Sequence, residues 1–191
     1  MYDSAPDPYC YPDTTVLKNR ANIRDQITLD AFEDDAATQR AEEPCPTGRL
    51  SVSHYRAIHR QLFQDIYTWA GRFRSVRISK GGSMFCYPEH IAAEMRRLFA
   101  GLRTERHLAG ATADEFAQKA AHFLAELNAI HPFREGNGRT QLAYLTLLAE
   151  QANHPLNLER MEPTAILNAM IASFGGDEAQ LAQLIRGIVD R

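Results

Sequence analysis

The sequence predicts an all-α fold, a helical bundle carrying one small β-hairpin. Three observations point there. Apolar residues recur at three- and four-residue steps through most of the chain, capping residues stand where several of those stripes begin, and only one stretch alternates like paired strands. With 191 residues and 45% apolar content the chain can build one sizeable core, and nothing forces a second. Residues 1–13 are expected to form an N-terminal arm and residues 14–191 a single domain.

The arm, with "APDPYCYPD", reads as extended or turn-rich because each proline fixes its own φ and biases the residue before it away from helix. A first long helix is expected from near Thr14 or Thr15, as N-cap, through Leu17, Ile23, Ile27 and Phe32 until "EEPCPTG" breaks it. A second starts near Ser51 or Ser53, with Tyr55, Ile58, Leu62, Ile66 and Trp69 on one face and Gly71 as its end.

In "RSVRISKGGSMFCYPEHI", Val76 and Ile78 alternate with polar neighbours, Gly81 and Gly82 supply a turn, and Met84 to Tyr87 return: a β-hairpin. Pro88 suits the first turn of a helix running through Ile91, Met95 and Leu98 towards Gly101. The next helix opens near Thr112, with Glu115 completing a capping box, and its stripe of Phe116, Ala120, Phe123, Leu127 and Ile130 leads to His131. Further helices are expected at about Asn137 to Gln151, Pro163 to Phe174 and Asp177 to Val189.

A formal net charge of -3 is too mild for a nucleic-acid or membrane footprint spread over the whole surface, so any phosphate binding must be local. Cys10, Cys45 and Cys86 show neither metal spacing nor an even count, which reads as reduced, partly buried thiols. His54, His59, His90, His107, His122 and His154 show no metal-ligand grouping and read as structural or surface residues. The N-terminus lacks a basic segment followed by an apolar run, no stretch reaches membrane-spanning length, and a cytoplasmic protein is expected.

The chemistry concentrates in "HPFREGNGRTQL", residues 131–142. Gly136 and Gly138 let backbone approach a ligand where a loop turns into a helix, whose first amides and positive dipole end suit phosphate. Asn137 can add an amide donor and Arg139 a forked cation. Glu135 would repel phosphate unless a cation intervenes, and a Mg2+ ion bridging the carboxylate and the phosphates removes the conflict. His131 titrates near neutrality and could take the proton from an attacking hydroxyl. Phe133 is assigned to the core, and Pro132 stiffens the loop.

"HPFREGNGR" resembles the signature of the Fic family, His-x-Phe-x-(Asp or Glu)-Gly-Asn-Gly-Arg-x-x-Arg. "YPDTTVLKNRANI", "IHRQLFQDIYTWAGRFRSVRI" and the hairpin before "YPEHI" extend the likeness to bacterial toxin-type Fic proteins, over roughly residues 8–175. The resemblance implies the Fic fold and transfer of AMP from ATP to a Ser, Thr or Tyr hydroxyl of a target protein. By it His131 is the general base, Glu135 the Mg2+ ligand, Gly136, Asn137 and Gly138 the anion hole, and Arg139 a phosphate clamp. Lys80, Gly81, Gly82, Ser83 and Met84 become a flap that holds the target segment by strand-like pairing. Toxin-type relatives further imply a type II topoisomerase subunit as target.

Leu142 departs from the pattern, which has a second arginine there. On a helix that arginine would share a face with Arg139, and losing its charge-assisted contact costs about 1.5 to 3 kcal/mol, roughly tenfold to over a hundredfold in binding or rate. Three consequences stand open: a weakened AMP transferase, a transferase using another nucleotide-diphosphate donor, or a catalytically impaired interaction protein. Lys80 or Arg134 could compensate, and the leucine itself is expected to pack in the core beside Leu145 and Ala149. The family's inhibitory pattern, (Ser or Thr)-x-x-x-Glu-(Gly or Asn), is not found complete; its nearest match, Thr146 to Glu150, is followed by Gln151. A separate small antitoxin protein is therefore the expected inhibitor by this resemblance.

Overall fold

A computed structural model describes residues 7–80 and 83–190 of the chain. Among them are seven α-helices: α1 (Gln26–Ala41), α2 (Val52–Phe63), α3 (Pro88–Thr104), α4 (Ala113–Ile130), α5 (Asn137–Gln151), α6 (Pro163–Phe174) and α7 (Ala179–Ile188). A two-stranded antiparallel hairpin, β1 (Ser79–Lys80) and β2 (Ser83–Met84), pairs Ser79 with Met84 and Lys80 with Ser83. The expected all-α bundle with one hairpin is the architecture found.

α4 is the central helix, packed on α3, α5, α6 and α7, while α2 joins α1 to α5. Its sequence explains both its start and its burial. Thr112 and Glu115 form the reciprocal capping box, and Phe116, Ala120, Phe123, Leu127 and Ile130 are buried as the stripe predicts. Tyr144 of α5 meets this core edge-on to Tyr55 at 5.5 Å and stacked on Phe123 at 5.6 Å, and its hydroxyl donates to the Leu50 carbonyl at 2.8 Å. Pro88 and Pro163 open α3 and α6, where a missing N–H removes nothing from the helical ladder.

Four expectations need correction. α1 starts at Gln26 with Asp25 as N-cap, not near Thr14. The preceding stretch folds back instead: Cys10 and Leu17 form an isolated antiparallel bridge, and the Asn19 side chain bonds the backbone of Leu17 and Ile23. An amide that satisfies local backbone groups offers the chain an alternative to helix, and Asn22 follows in the left-handed region at φ 55°. Ile27, expected on the apolar face, is 81% exposed.

α2 ends at Phe63, eight residues before Gly71. Ile66, Tyr67 and Trp69 stay buried through successive turns, which is why their spacing imitated a longer helix. The hairpin is shorter than its alternation suggested, since Val76 gives its carbonyl to the Arg74 side chain rather than to a partner strand. Gly81 and Gly82 lie outside the described residues. α3 continues past Gly101 to Thr104, a small extension that an interior glycine tolerates. Among the described residues no helix is long and apolar enough to cross a membrane.

Candidate active site

The site grows from the junction of α4 and α5, where residues 131–136 reverse the chain. His131 closes α4 in the left-handed region (φ 47°, ψ 64°), its N–H on the Leu127 carbonyl at 3.0 Å. A non-glycine residue there costs roughly 1–2 kcal/mol, so surrounding contacts must hold it. Arg74 supplies them. Buried to 2% exposure, its guanidinium donates to the carbonyls of His131 (2.8 Å), Ile130 (3.2 Å), Val76 (2.6 Å) and Cys86 (2.6 Å), and its N–H to that of Pro132 (2.9 Å).

The last carbonyls of α4 lack intrahelical donors and form the negative end of its dipole, so a cation seated there is favoured on both counts. Burial lowers the Arg74 pKa from its ordinary value. The same side chain ties the hairpin's two arms to the end of α4. Phe85, just after β2, stacks on the His131 imidazole with ring centroids 3.9 Å apart.

Behind the loop stands His59. Its Nδ1 accepts the Gly71 N–H at 2.8 Å, which makes Nε2 the protonated nitrogen that donates to the Glu135 carbonyl at 3.0 Å. Burial pulls its pKa down to about 4, so the ring is neutral, and it packs 3.7 Å from the ring of Phe133. Phe133 is fully buried, as expected, and stacks on Tyr55 at 5.5 Å.

Asn137 is 2% exposed, and its amide clamps the loop at two points, accepting the Phe133 N–H at 3.0 Å and donating to the Phe133 carbonyl at 2.9 Å. Its side chain thus has a loop-holding task. The donors of this turn that could meet an anion are then backbone amides at the start of α5, whose N-cap Gly136 provides no side-chain bond.

The two glycines differ in kind. Gly136 has φ 79°, and a Cβ there would lie 2.4 Å from the Phe63 ring, so the fold itself demands glycine. Gly138 is exposed, and a Cβ there would meet nothing within 4 Å. Only a ligand approaching the amides would feel it.

Glu135 is exposed, and its Oε1 accepts the Gly136 N–H at 2.8 Å, which leaves Oε2 for a cation. Among the described residues no group of three or more His, Cys, Asp or Glu could hold a metal alone. A single hard carboxylate fits Mg2+ held jointly with phosphate oxygens and water.

Arg139 turns to α1. It pairs with Glu33 and, at 3.2 Å, with Asp34, and its guanidinium carbon lies 4.9 Å from the Phe63 ring centroid. Glu33 also accepts the Tyr67 hydroxyl, and burial pushes its carboxyl above the usual range despite that bond and the arginine charge. Arg134, considered above as a compensating cation, pairs with Asp7 at 2.9 Å. Leu142 is half-exposed and outside the core cluster that contains Leu145 and Ala149, contrary to expectation. The buried face of α5 runs through Gln141, Tyr144, Leu145 and Leu148, and position 142 falls to one side of it.

A cavity of about 350 Å³ opens beside the loop, and Arg139, Arg134 and Leu142 are not among its lining residues. His131, Glu135, Asn137 and Gly138 line one wall, with Phe85 beside them. α6 forms the other wall through Ile166, Met170 and Phe174, a contribution the sequence reading missed. The signal was present, because "AILNAMIASF" is apolar on more than one face and so needs more than one apolar neighbour. Met84 of the hairpin is 58% exposed.

A protein-family model described as Fic/DOC family matches residues 49–149. A Sinorhizobium fredii protein named probable protein adenylyltransferase y4lH is 53% identical over 189 residues, covering 98% of each chain. The protein adenylyltransferase VbhT of Bartonella schoenbuchensis is 38% identical over 97% of this chain, which spans 39% of that longer protein. Among solved structures, BepC of Bartonella tribocorum with bound AMPPNP superposes with a TM-score of 0.85 at 26% identity, over 95% of this chain and 96% of that one.

Proposed function

The chain belongs to the Fic/DOC family, and on that premise we propose that it is a protein adenylyltransferase, moving AMP from ATP to a hydroxyl side chain of another protein. The observation that carries this reading is the meeting of His131, Glu135 and the first amides of α5 in one cavity. The relatives' names and the nucleotide analogue in BepC point the same way.

In the proposed reaction His131 removes the proton from a Ser, Thr or Tyr hydroxyl, whose oxygen attacks the α-phosphorus of ATP. The bond from that phosphorus to the bridging oxygen breaks, and pyrophosphate departs with its electrons. The amides of residues 137–139 face the charge that develops on the phosphoryl oxygens. Glu135 is the residue that would hold Mg2+, whose chemistry is to neutralise phosphate charge. Arg74 and His59 fix the backbone on either side of the loop and so hold the imidazole and the amides in register. The hairpin from Ser79 to Met84 is the element that would hold the target segment.

A second reading concerns the donor. Leu142 replaces an arginine, and Arg139 and Arg134 are already paired with Glu33, Asp34 and Asp7, which favours a donor with fewer phosphate charges to satisfy. The resemblance to toxin-type members adds a small antitoxin and a type II topoisomerase subunit as target.

Label from ATP tagged at the α-phosphate, incubated with Mg2+ and a bacterial lysate, should appear on protein with the parent chain and vanish with His131→Ala. Purified type II topoisomerase subunits and other nucleotide-diphosphate donors in the same assay test the finer readings. Absence of transfer from every donor, with the chain folded, overturns the enzyme.

A further inference from the structure

One polar group in the cavity has no role in the scheme above. Gln141 lines the cavity, is 5% exposed, and its Nε2 has no hydrogen-bond partner. A buried amide left this way carries a desolvation cost with no return, and such a group calls for a ligand or water that completes it.

Its position on α5 says which part of a ligand it meets. Helical side chains tilt towards the N-terminus, so a residue covers the turn that precedes it. For Gln141 that turn is Asn137 and Gly138, whose amides begin the helix and line the same cavity. The last torsion of a glutamine is soft, so the NH2 can swing to whichever side offers an acceptor. Gln141 also stands next to Leu142, where the related motif has a cation.

We propose that Gln141 is a substrate-contacting residue that donates its amide N–H to a phosphate oxygen of the bound nucleotide, a neutral clamp one position before the missing arginine. This rests on nucleotide binding at the α5 amides, as read above. A neutral donor gives the site hold on phosphate without adding charge beside Glu135. Of the cavity's other carboxamides, Asn128 already donates its Nδ2 to the Met170 carbonyl at 3.3 Å, and Asn137 is spent on the N–H and carbonyl of Phe133.

The test is calorimetry of ADP with Mg2+, and of adenosine, on the parent chain, Gln141→Leu and Gln141→Glu. Gln141→Leu should weaken ADP by roughly tenfold or more, with adenosine unchanged within twofold. Gln141→Glu, which keeps the shape but turns donor into repelling acceptor, should weaken ADP further and again spare adenosine. Should Gln141→Leu fail to fold, Gln141→Glu and the parent chain's crystal structure with ADP decide the matter. ADP affinity unchanged in a folded variant, equal losses for ADP and adenosine, or an amide bonded only to water in the ADP complex would each overturn the proposal. A parent chain that binds neither ligand overturns the nucleotide reading as well, whereas loss confined to the phosphate contact bears on Gln141 alone.

Discussion

His59 donates its Nε2–H to the carbonyl of Glu135 at 3.0 Å across 76 residues of sequence. The pairing makes a buried, neutral imidazole on α2 the backstop of the loop that presents Glu135, and it carries a pH signature. Burial places the folded pKa at about 4 against an ordinary value of 6.5, so between those values the unfolded chain binds the extra proton. This contribution to stability is therefore complete above pH 6.5 and is lost as pH falls towards 4. Urea unfolding should show a loss of up to about 3 kcal/mol across that window. His59→Leu should flatten this part of the profile, while lowering stability at pH 7 by about 2–4 kcal/mol because the Gly71 N–H and Glu135 carbonyl lose their partner. A variant with the parent's slope would remove His59 from the account.

Gly136→Ala and Gly138→Ala should separate fold from binding. The first drives a Cβ into Phe63 at a left-handed position and should lower the melting temperature by several degrees. The second meets no protein atom, so it should melt within about 2 °C of the parent yet bind ADP at least roughly tenfold more weakly. Equal nucleotide affinity in Gly138→Ala would mean that ligand does not approach these amides.

Arg74→Lys keeps the charge but cannot span four carbonyls from three chain segments. Thermal unfolding should register a loss of about 2–3 kcal/mol, and labelling activity should fall more than tenfold, as His131 and the hairpin lose their common tie. Retained activity in a destabilised variant would show that His131 holds its place without this residue.

Glu33→Gln keeps an acceptor for Tyr67 and removes the charge facing Arg139. If Arg139 also meets phosphate, freeing it should raise ATP affinity about threefold to tenfold at low salt, an effect that 0.5 M NaCl largely erases. Unchanged affinity would identify the arginine as a tie between α5 and α1.

Leu142→Arg probes the same charge balance from the other side. The half-exposed position leaves room for a long side chain, and a gain in ATP labelling of roughly tenfold is expected. An unchanged rate would show that this position does not limit the reaction.

The sequence by itself determined the bundle, the boundaries of α5 and α6 and the capping box of α4, and it gathered the candidate site residues in 131–139, because all of these are written in local spacing. The misplaced start of α1 and end of α2 share one cause. Residues 14–25 and 64–71 carry helix-like apolar spacing, but buried turns repeat apolar residues too, and only long-range partners distinguish them. Tertiary structure alone decided that Arg74 ties α4 to the hairpin, that His59 braces Glu135, that Arg139 faces Glu33 and Asp34, and that α6 walls the cavity. Hydrogen bonds and ion pairs across some fifty to a hundred residues leave no periodic trace in the chain, so burial and contact had to show them.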